Sequence, residues 1–560
     1  MGRPRISVTT LGDLLDDRAE TGGDADAVVF PGRRVGYREL RDRARVMARV
    51  LIRLGVRPGD RVGILLGASV DLVALLFGSA TIGAVAVPVN ARFKASELRH
   101  VVADSGMAVL VTAAPLAGEP DLPAVLGEAL GGPDGLSAQP SEVDLALAAA
   151  PELRRVAVLG GAGGGGTTVL GDLEAAAAPV PDEAVEDRRV AVRVRDTAVL
   201  VYTSGTTAAP KGAMLSHEAL VRLAQGIGER MELTDSDRVW TAIPLFHGGG
   251  ITFALSAVTA GAPFVHSGFF DPATTPAYLE DERVSVALAA FETIWLPVLD
   301  RPDFAEWDLH RLRLVMVVGV PERLRAMAAR LPDAVHVSCV AMTESSAFLT
   351  LNRLDDPLEA RVSTGGHPMP GMACRVVDPE SGADVPPGTA GELLFRGPNT
   401  FDGYFRDPAA TAAAFDDQGW FHSGDLVVAD AEGRLTFHSR LKDMLKVGGE
   451  NVSAAEVEGH LLGHPAVGIV AVVAAPDTRY VEVPAAFVQL APGAEATEEE
   501  LVDFCVGRIA SYRVPRYVRF VTEWPMSGTK IKKVELRRMI AEELAARGIT
   551  AAPRLPSASV

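Results

Sequence analysis

The sequence predicts an α/β fold: a large N-terminal domain of parallel α/β sheets with a small β subdomain, then a smaller α+β C-terminal domain. Three observations predict it. Apolar strand-like runs alternate with helical runs from about residue 61, the pattern of strands joined by crossover helices. From 371 to 428 the pattern shortens to strands and turns. After Arg440 a fresh alternation begins, and 560 residues are too many for a single core. The expected domains are 1–440, with the β subdomain at about 371–438, then 441–547, then a tail at 548–560.

In order, strands are expected at 61–66, 84–89 and 108–112, with helices at 71–81 and 96–104. Residues 72–89 carry no charge over eighteen positions, long enough to resemble a membrane span. Gly78, Gly83 and Pro88 punctuate that run, so a buried helix followed by a buried strand explains it better. Residues 113–190 change character. They are rich in Ala, Gly, Pro and acids, include a glycine run at 160–166, and read as a surface insertion. Residues 197–202 return to a buried strand, and 334–341 is another apolar, strand-like stretch. In the β subdomain, strands are expected at 373–378, 391–396 and 425–428. Beyond 440 the pattern is helix 453–462, strands 467–474 and 484–490, helix 497–510, strand 517–522 and helix 534–546. The tail at 551–560 is Pro/Ser/Ala-rich and expected to be disordered.

With 48% hydrophobic and 22% charged residues, the chain is ordinary globular protein. Its net charge of −18 argues against a nucleic-acid partner. Cys339, Cys374 and Cys505 lie far apart and show no metal-ligand spacing, which fits a reducing cytoplasm. The first residues lack an apolar core, so no signal peptide is expected, and Ile6 stands where a myristoylation site needs Ser or Thr.

The residues that carry chemistry begin at the end of strand 197–202, with Thr203-Ser204-Gly205-Thr206-Thr207-Ala208-Ala209-Pro210-Lys211-Gly212. Hydroxyls, glycines and a lysine on a turn after a strand suit a polyphosphate, because backbone N–H groups there form an anion-binding concavity. It is not a Walker loop, since no hydroxyl follows the lysine. Downstream, in fixed order, stand Val340-Ala341-Met342-Thr343-Glu344, His422-Ser423-Gly424-Asp425, Arg440-Leu441-Lys442, Gly448-Gly449-Glu450 and Ser527-Gly528-Thr529-Lys530.

This series resembles the adenylate-forming superfamily, which includes acyl-CoA synthetases, over nearly the whole chain. The resemblance implies an ATP-dependent carboxylate–CoA ligase that makes acyl-AMP and pyrophosphate, then acyl-CoA and AMP. ATP, Mg²⁺ and CoA are the implied cofactors. It assigns the phosphates to Thr203, Ser204, Gly205, Thr206, Thr207 and Lys211, the α-phosphate to Thr343, and magnesium to Glu344. Val340, Ala341 and Met342 border the nucleotide. Asp425 and Arg440 take the ribose, Lys530 is the adenylation lysine, and Lys442 is the hinge of a mobile C-terminal domain. Gly448, Gly449 and Glu450 line the CoA tunnel, although a plain hairpin turn fits them too. Lys532 and Lys533 compete with Lys530 for its assignment.

Three departures from the family pattern stand out. Ala208 replaces a usual glycine. Val340 replaces an aromatic residue that would stack on adenine, and Ala341 replaces the glycine after it. On the acyl side, Phe246, His247, Gly248, Phe291, Glu292 and Val320 match pocket positions. His247 is either a gate between acyl pocket and thiol tunnel or a structural histidine. It stands where amino-acid-activating relatives place an aspartate, so an α-amino acid is not the expected substrate. Glu292 either binds a substrate amine or hydroxyl or is a helix N-terminal acid. The expected acid is fatty or aromatic. Alternatives left open are loading of a carrier protein and activation of an oxyacid such as nitrite to diazotise an aryl amine. A degenerate ATP-binding regulator ranks last. Expected partners are the small-molecule acid, ATP and CoA, with no nucleic acid and no membrane span; a homodimer stays open.

Overall fold

The computed structural model describes residues 8–114, 121–131, 135–138, 144–160, 165–203, 210–447, 450–527 and 530–555. These divide into two compact units. The first runs to Ala373 and takes back Phe395–Phe421; the second holds Cys374–Leu394 and the chain from His422 onward. Most of the small β subdomain belongs to the second unit.

The first unit is built on two seven-stranded sheets. One has the order Thr167–Leu170, Arg155–Leu159, Val109–Ala113, Arg61–Leu65, Val85–Pro88, Thr197–Thr203, Lys211–Ser216. All its pairings are parallel except the last, where Thr197–Thr203 meets Lys211–Ser216 antiparallel. The other has the order Val335–Val337, Leu314–Val318, Val286–Phe291, Val239–Thr241, Phe264–His266, Asp26–Phe30, Arg33–Gly36, again parallel up to a final antiparallel hairpin. Strands buried on both faces read as unbroken apolar runs, which is why they were legible. The uncharged run at 72–89 is indeed helix Val70–Thr81 followed by strand Val85–Pro88. Ser69 Oγ caps that helix by accepting from Leu72 N–H. Among the described residues, no helix is long and apolar enough to cross a membrane.

Residues 113–190 correct the expectation of a surface insertion. They supply strands Arg155–Leu159 and Thr167–Leu170 to the parallel sheet. Leu126, Leu147, Leu153 and Val156 pack into the same core as Leu65, Leu110 and Leu200. The strands are short and the stretch between them is Gly-rich, so their periodicity is weak. Gly161–Gly164 lie outside the described residues.

The second unit contains a four-stranded sheet in the order Ala373–Val377, Ala390–Arg396, Phe421–Ala429, Leu435–Arg440. It also contains a five-stranded sheet of Glu450–Ser453, Met444–Val447, Val481–Leu490 and Val467–Asp477, with Tyr517–Phe520 pairing parallel to Val481–Leu490. Period-two alternation divides the faces. Val470, Val472 and Val488 meet helices Ala454–Leu462 and Glu498–Cys505. Ala471, Val473 and Phe487 meet helix Lys533–Ala546. The helix expected at 497–510 stops at Cys505, before Gly507 at φ 74°. The tail expected to be disordered is tied down as far as Leu555. Ala552 is buried and its N–H donates to Asp477 Oδ2 at 2.5 Å, and Thr478 N–H donates to Thr550 O at 2.9 Å.

Candidate active site

Strand Thr197–Thr203 ends where the polyphosphate turn begins, and strand Lys211–Ser216 leaves it. Ser204, Gly205, Thr206 and Thr207 lie outside the described residues. At the return, Lys211 Nζ stands 3.5 Å from Asp407 Oδ2 and 5.1 Å above the Tyr404 ring. The segment around Tyr404 pairs along strand Lys211–Ser216: Met214 N–H donates to Gly403 O, and Phe405 N–H donates to Gly212 O.

Thr343 and Glu344 sit on the single turn Thr343–Ser345, which follows strand Cys339–Met342. The turn closes through two non-glycine residues at positive φ, Ser346 at 61° and Ala347 at 129°. Each such residue costs about 1–3 kcal/mol and persists only when its surroundings hold it. Here Ser346 Oγ donates to Asn399 O at 2.8 Å, and Phe401 N–H donates to Glu344 O at 2.9 Å. The same segment brings Tyr404, whose hydroxyl donates to Glu344 Oε1 at 2.8 Å. Burial, and then the Glu344 charge, push the Tyr404 phenol well above its usual range, so it stays a donor. Sequence reasoning missed Tyr404. A tyrosine behind Phe401-Asp402-Gly403 was the available signal, and only the fold brings it to Glu344.

A carboxylate with one oxygen so engaged suits a hard cation. Among the described residues no group of three or more His, Cys, Asp and Glu gathers to cage a metal. A cation at Glu344 would take its other ligands from substrate phosphate and water, as magnesium does.

Val340, which stands where the family pattern has an aromatic residue, is buried. It is 5% exposed, and a Cβ added at Gly365 would stand 2.6 Å from its Cγ2. On the same strand Ala341 is the exposed neighbour. Val340 is thus turned into the packing.

On the acyl side, His247 precedes helix Gly248–Ala260, and the Phe246 and His247 rings lie 4.6 Å apart. Gly248 borders the Thr343–Ser345 turn: a Cβ there would stand 3.7 Å from Ala347 Cβ. His247 and Glu344 are therefore carried on adjoining elements. Strand Val286–Phe291 slips register between Leu288 and Ala290, with Ala290 at φ 66°. Phe291 ends exposed, whereas Glu292 turns in and starts helix Glu292–Leu299. Glu292 Oε2 accepts from Val320 N–H at 2.8 Å, and Oε1 from Arg323 Nη1 at 2.9 Å. Gly319 permits this, since a Cβ there would stand 2.3 Å from Oε2. Glu292 is therefore the helix N-terminal acid, and its two oxygens are already engaged.

In the second unit, Asp425 and Arg440 are cross-strand partners, with Nε 3.1 Å from Oδ1. Asp425 is 4% exposed, so its carboxylate is held against charged or hydrogen-bonding donors. The turn before it is fixed by Glu392, which accepts from Gly424 N–H at 3.2 Å and lies 3.0 Å from His422 Nδ1. Lys442 lies on the turn Leu441–Asp443. Glu450 is exposed and pairs with Val447 in a hairpin, while Gly448 and Gly449 lie outside the described residues. Lys530 pairs with Ser527 in a two-strand ribbon. Its rival Lys533 is committed elsewhere, with Nζ 2.7 Å from Glu458 Oε1.

Comparison with known proteins identifies the family. Residues 15–405 match the family model for AMP-binding enzymes, and residues 456–530 match the model for the AMP-binding enzyme C-terminal domain. A feruloyl-CoA synthase of an Amycolatopsis species is 34% identical over 94% of this chain and 98% of its own. An indoleacetate–CoA ligase of Aromatoleum aromaticum is 31% identical over 95% of this chain and 98% of its own. The crystal structure of the anthranilate CoA ligase AuaEII with anthranoyl-AMP superposes with a TM-score of 0.81 at 26% identity, covering 97% of this chain and all of that one. The chain belongs to the AMP-binding enzymes of the adenylate-forming superfamily and is an AMP-forming acid–CoA ligase.

Proposed function

We propose that the enzyme activates a fatty or aromatic carboxylic acid. The observation that carries the acid class is Glu292. Its carboxylate is engaged by Val320 N–H and Arg323, so it is not offered to a substrate amine, and its neighbour Phe291 presents an exposed ring. The relatives named for feruloyl, indoleacetyl and anthranoyl substrates support an aromatic acid within that class.

In the first half-reaction a carboxylate oxygen attacks the α-phosphorus of ATP, and the bond to pyrophosphate breaks. Thr343 donates its hydroxyl to the α-phosphate, and Lys530 offsets the charge that develops there. Glu344 would hold magnesium, which would supply charge neutralisation to the phosphate oxygens. Tyr404 fixes the Glu344 carboxylate, and Asp425 with Arg440 takes the ribose hydroxyls. In the second half-reaction the CoA thiol attacks the acyl carbon and AMP leaves. Lys442 then serves as the hinge between the two steps, and the Gly448-Gly449 turn with Glu450 admits the thiol arm.

The test is a panel of acids assayed for pyrophosphate release with and without CoA. Aromatic and fatty acids are expected to release pyrophosphate and to give a thioester when CoA is present. Release with α-amino acids or nitrite alone would overturn the acid class. Adenylation that CoA never discharges would point to a carrier protein as acceptor.

A further inference from the structure

The first unit contains a cavity of about 400 Å³ that none of the adenylation residues lines. It opens at the foot of strand Thr197–Thr203, beside Thr197, whereas the polyphosphate turn leaves the other end. Seven residues of strand at about 3.3 Å each put about 20 Å between Thr197 and that turn, and Leu200, Met214 and Phe405 carry the cavity part of the way along. Its floor is apolar: Ile82, Val85, Leu200, Met214 and Phe405. A cavity of this size, mostly apolar with few polar groups, is of the kind that holds small molecules.

Three charged residues line it, Arg61, Arg188 and Asp196. Arg61 is saturated by Ser105 O, Gly106 O and Glu152. Asp196 accepts from Arg193 N–H at 2.8 Å. Arg188 differs. Among the described residues its guanidinium makes one hydrogen bond, from Nη1 to Val56 O at 2.7 Å, and meets no carboxylate within ion-pair distance. Burial pushes its pKa down by more than the nearby Asp60 charge restores.

We propose that this cavity binds a small amphiphilic anion, its carboxylate or sulfonate head on Arg188 and its apolar body on Leu200, Met214 and Phe405. A half-buried guanidinium with unused donors favours a charge-assisted contact, and the floor gives a ring or short chain its apolar surface. The site has a route to catalysis, because Phe405 follows Tyr404, which holds Glu344.

The experiment uses the full-length enzyme and 8-anilinonaphthalene-1-sulfonate as probe, titrated by fluorescence with saturating ATP present. Expected are one binding site per chain, insensitivity to ATP, and about tenfold weaker binding in Arg188→Met. Ala191→Trp, at an exposed position on the cavity wall, should abolish binding by filling the space. Melting temperatures of both variants should match the parent, which shows that the fold is intact. No binding, binding displaced by ATP, or equal binding in both variants would overturn the proposal.

Discussion

The Tyr404 hydroxyl donates to Glu344 Oε1 across 2.8 Å, although sixty positions separate the two in the chain. The bond fixes one carboxylate oxygen and leaves the other for a cation. Tyr404→Phe keeps the ring and deletes the donor. A hydrogen bond to a charged group contributes about 1.5–3 kcal/mol. Acid-dependent pyrophosphate release should fall roughly tenfold or more, with a raised magnesium requirement. Thioester formation from preformed acyl-AMP should be spared. Unchanged magnesium dependence would separate Tyr404 from the metal carboxylate.

Lys530→Ala should abolish pyrophosphate release and largely spare discharge of acyl-AMP by CoA. Lys533→Ala should behave differently, lowering the melting temperature because Glu458, raised in pKa by burial, loses its ion partner. Lys442→Pro should let acyl-AMP form and accumulate, because fixing φ blocks the hinge and leaves the first step intact. Single-turnover assays of the two half-reactions read Lys530→Ala and Lys442→Pro, and melting curves read Lys533→Ala. Equal loss of both half-reactions in Lys530→Ala would remove that residue from its role.

Val340→Tyr tests the adenine face. With Val340 packed against Gly365, a ring has no room, and overpacking costs about 1–3 kcal/mol. The melting temperature should drop by several degrees, with KM for ATP unchanged. A lower KM at an unaltered melting temperature would mean that this side chain does border adenine.

Stability should fall on acidification. Burial pushes His217, His266 and His336 down to about 4, from an ordinary 6.5. Between those values the unfolded chain binds more protons than the folded one. The contribution is therefore complete above pH 6.5 and is lost as pH falls toward 4, at about 1.4 kcal/mol per unit of difference. His266 is held neutral by geometry as well: Nδ1 accepts from Gly268 N–H, and Nε2 faces Ile243 O. Melting curves from pH 7 to 5 should show the decline, and His266→Gln should flatten it.

What was legible in the sequence follows from chain locality. Strand Thr197–Thr203 and helix Val70–Thr81 announce themselves by unbroken apolar runs. Thr343, Glu344, Asp425 and Arg440 could be named as candidates because each sits in a short motif. Tyr404 was not, because its meaning comes from a contact across the fold. Glu292 was half legible: its place at a helix start could be read, but not that Arg323 and Val320 N–H would occupy it. Arg155–Leu159 and Thr167–Leu170 were missed because strands this short, the last two at one end of the sheet, are defined by their partners.

The docked end of the chain bears on how the protein can be handled. Asp477 accepts from Arg479 N–H, Tyr480 N–H and Ala552 N–H, and the last of these comes from beyond the final helix. A version trimmed at Arg547, the boundary that the helix pattern suggests, would strip one donor from a buried carboxylate and uncover the apolar face of Ala471, Val473 and Phe487 that Ile549 and Ala552 help to cover. Affinity tags and fusion partners are better joined after Leu555, where the clasp is already closed.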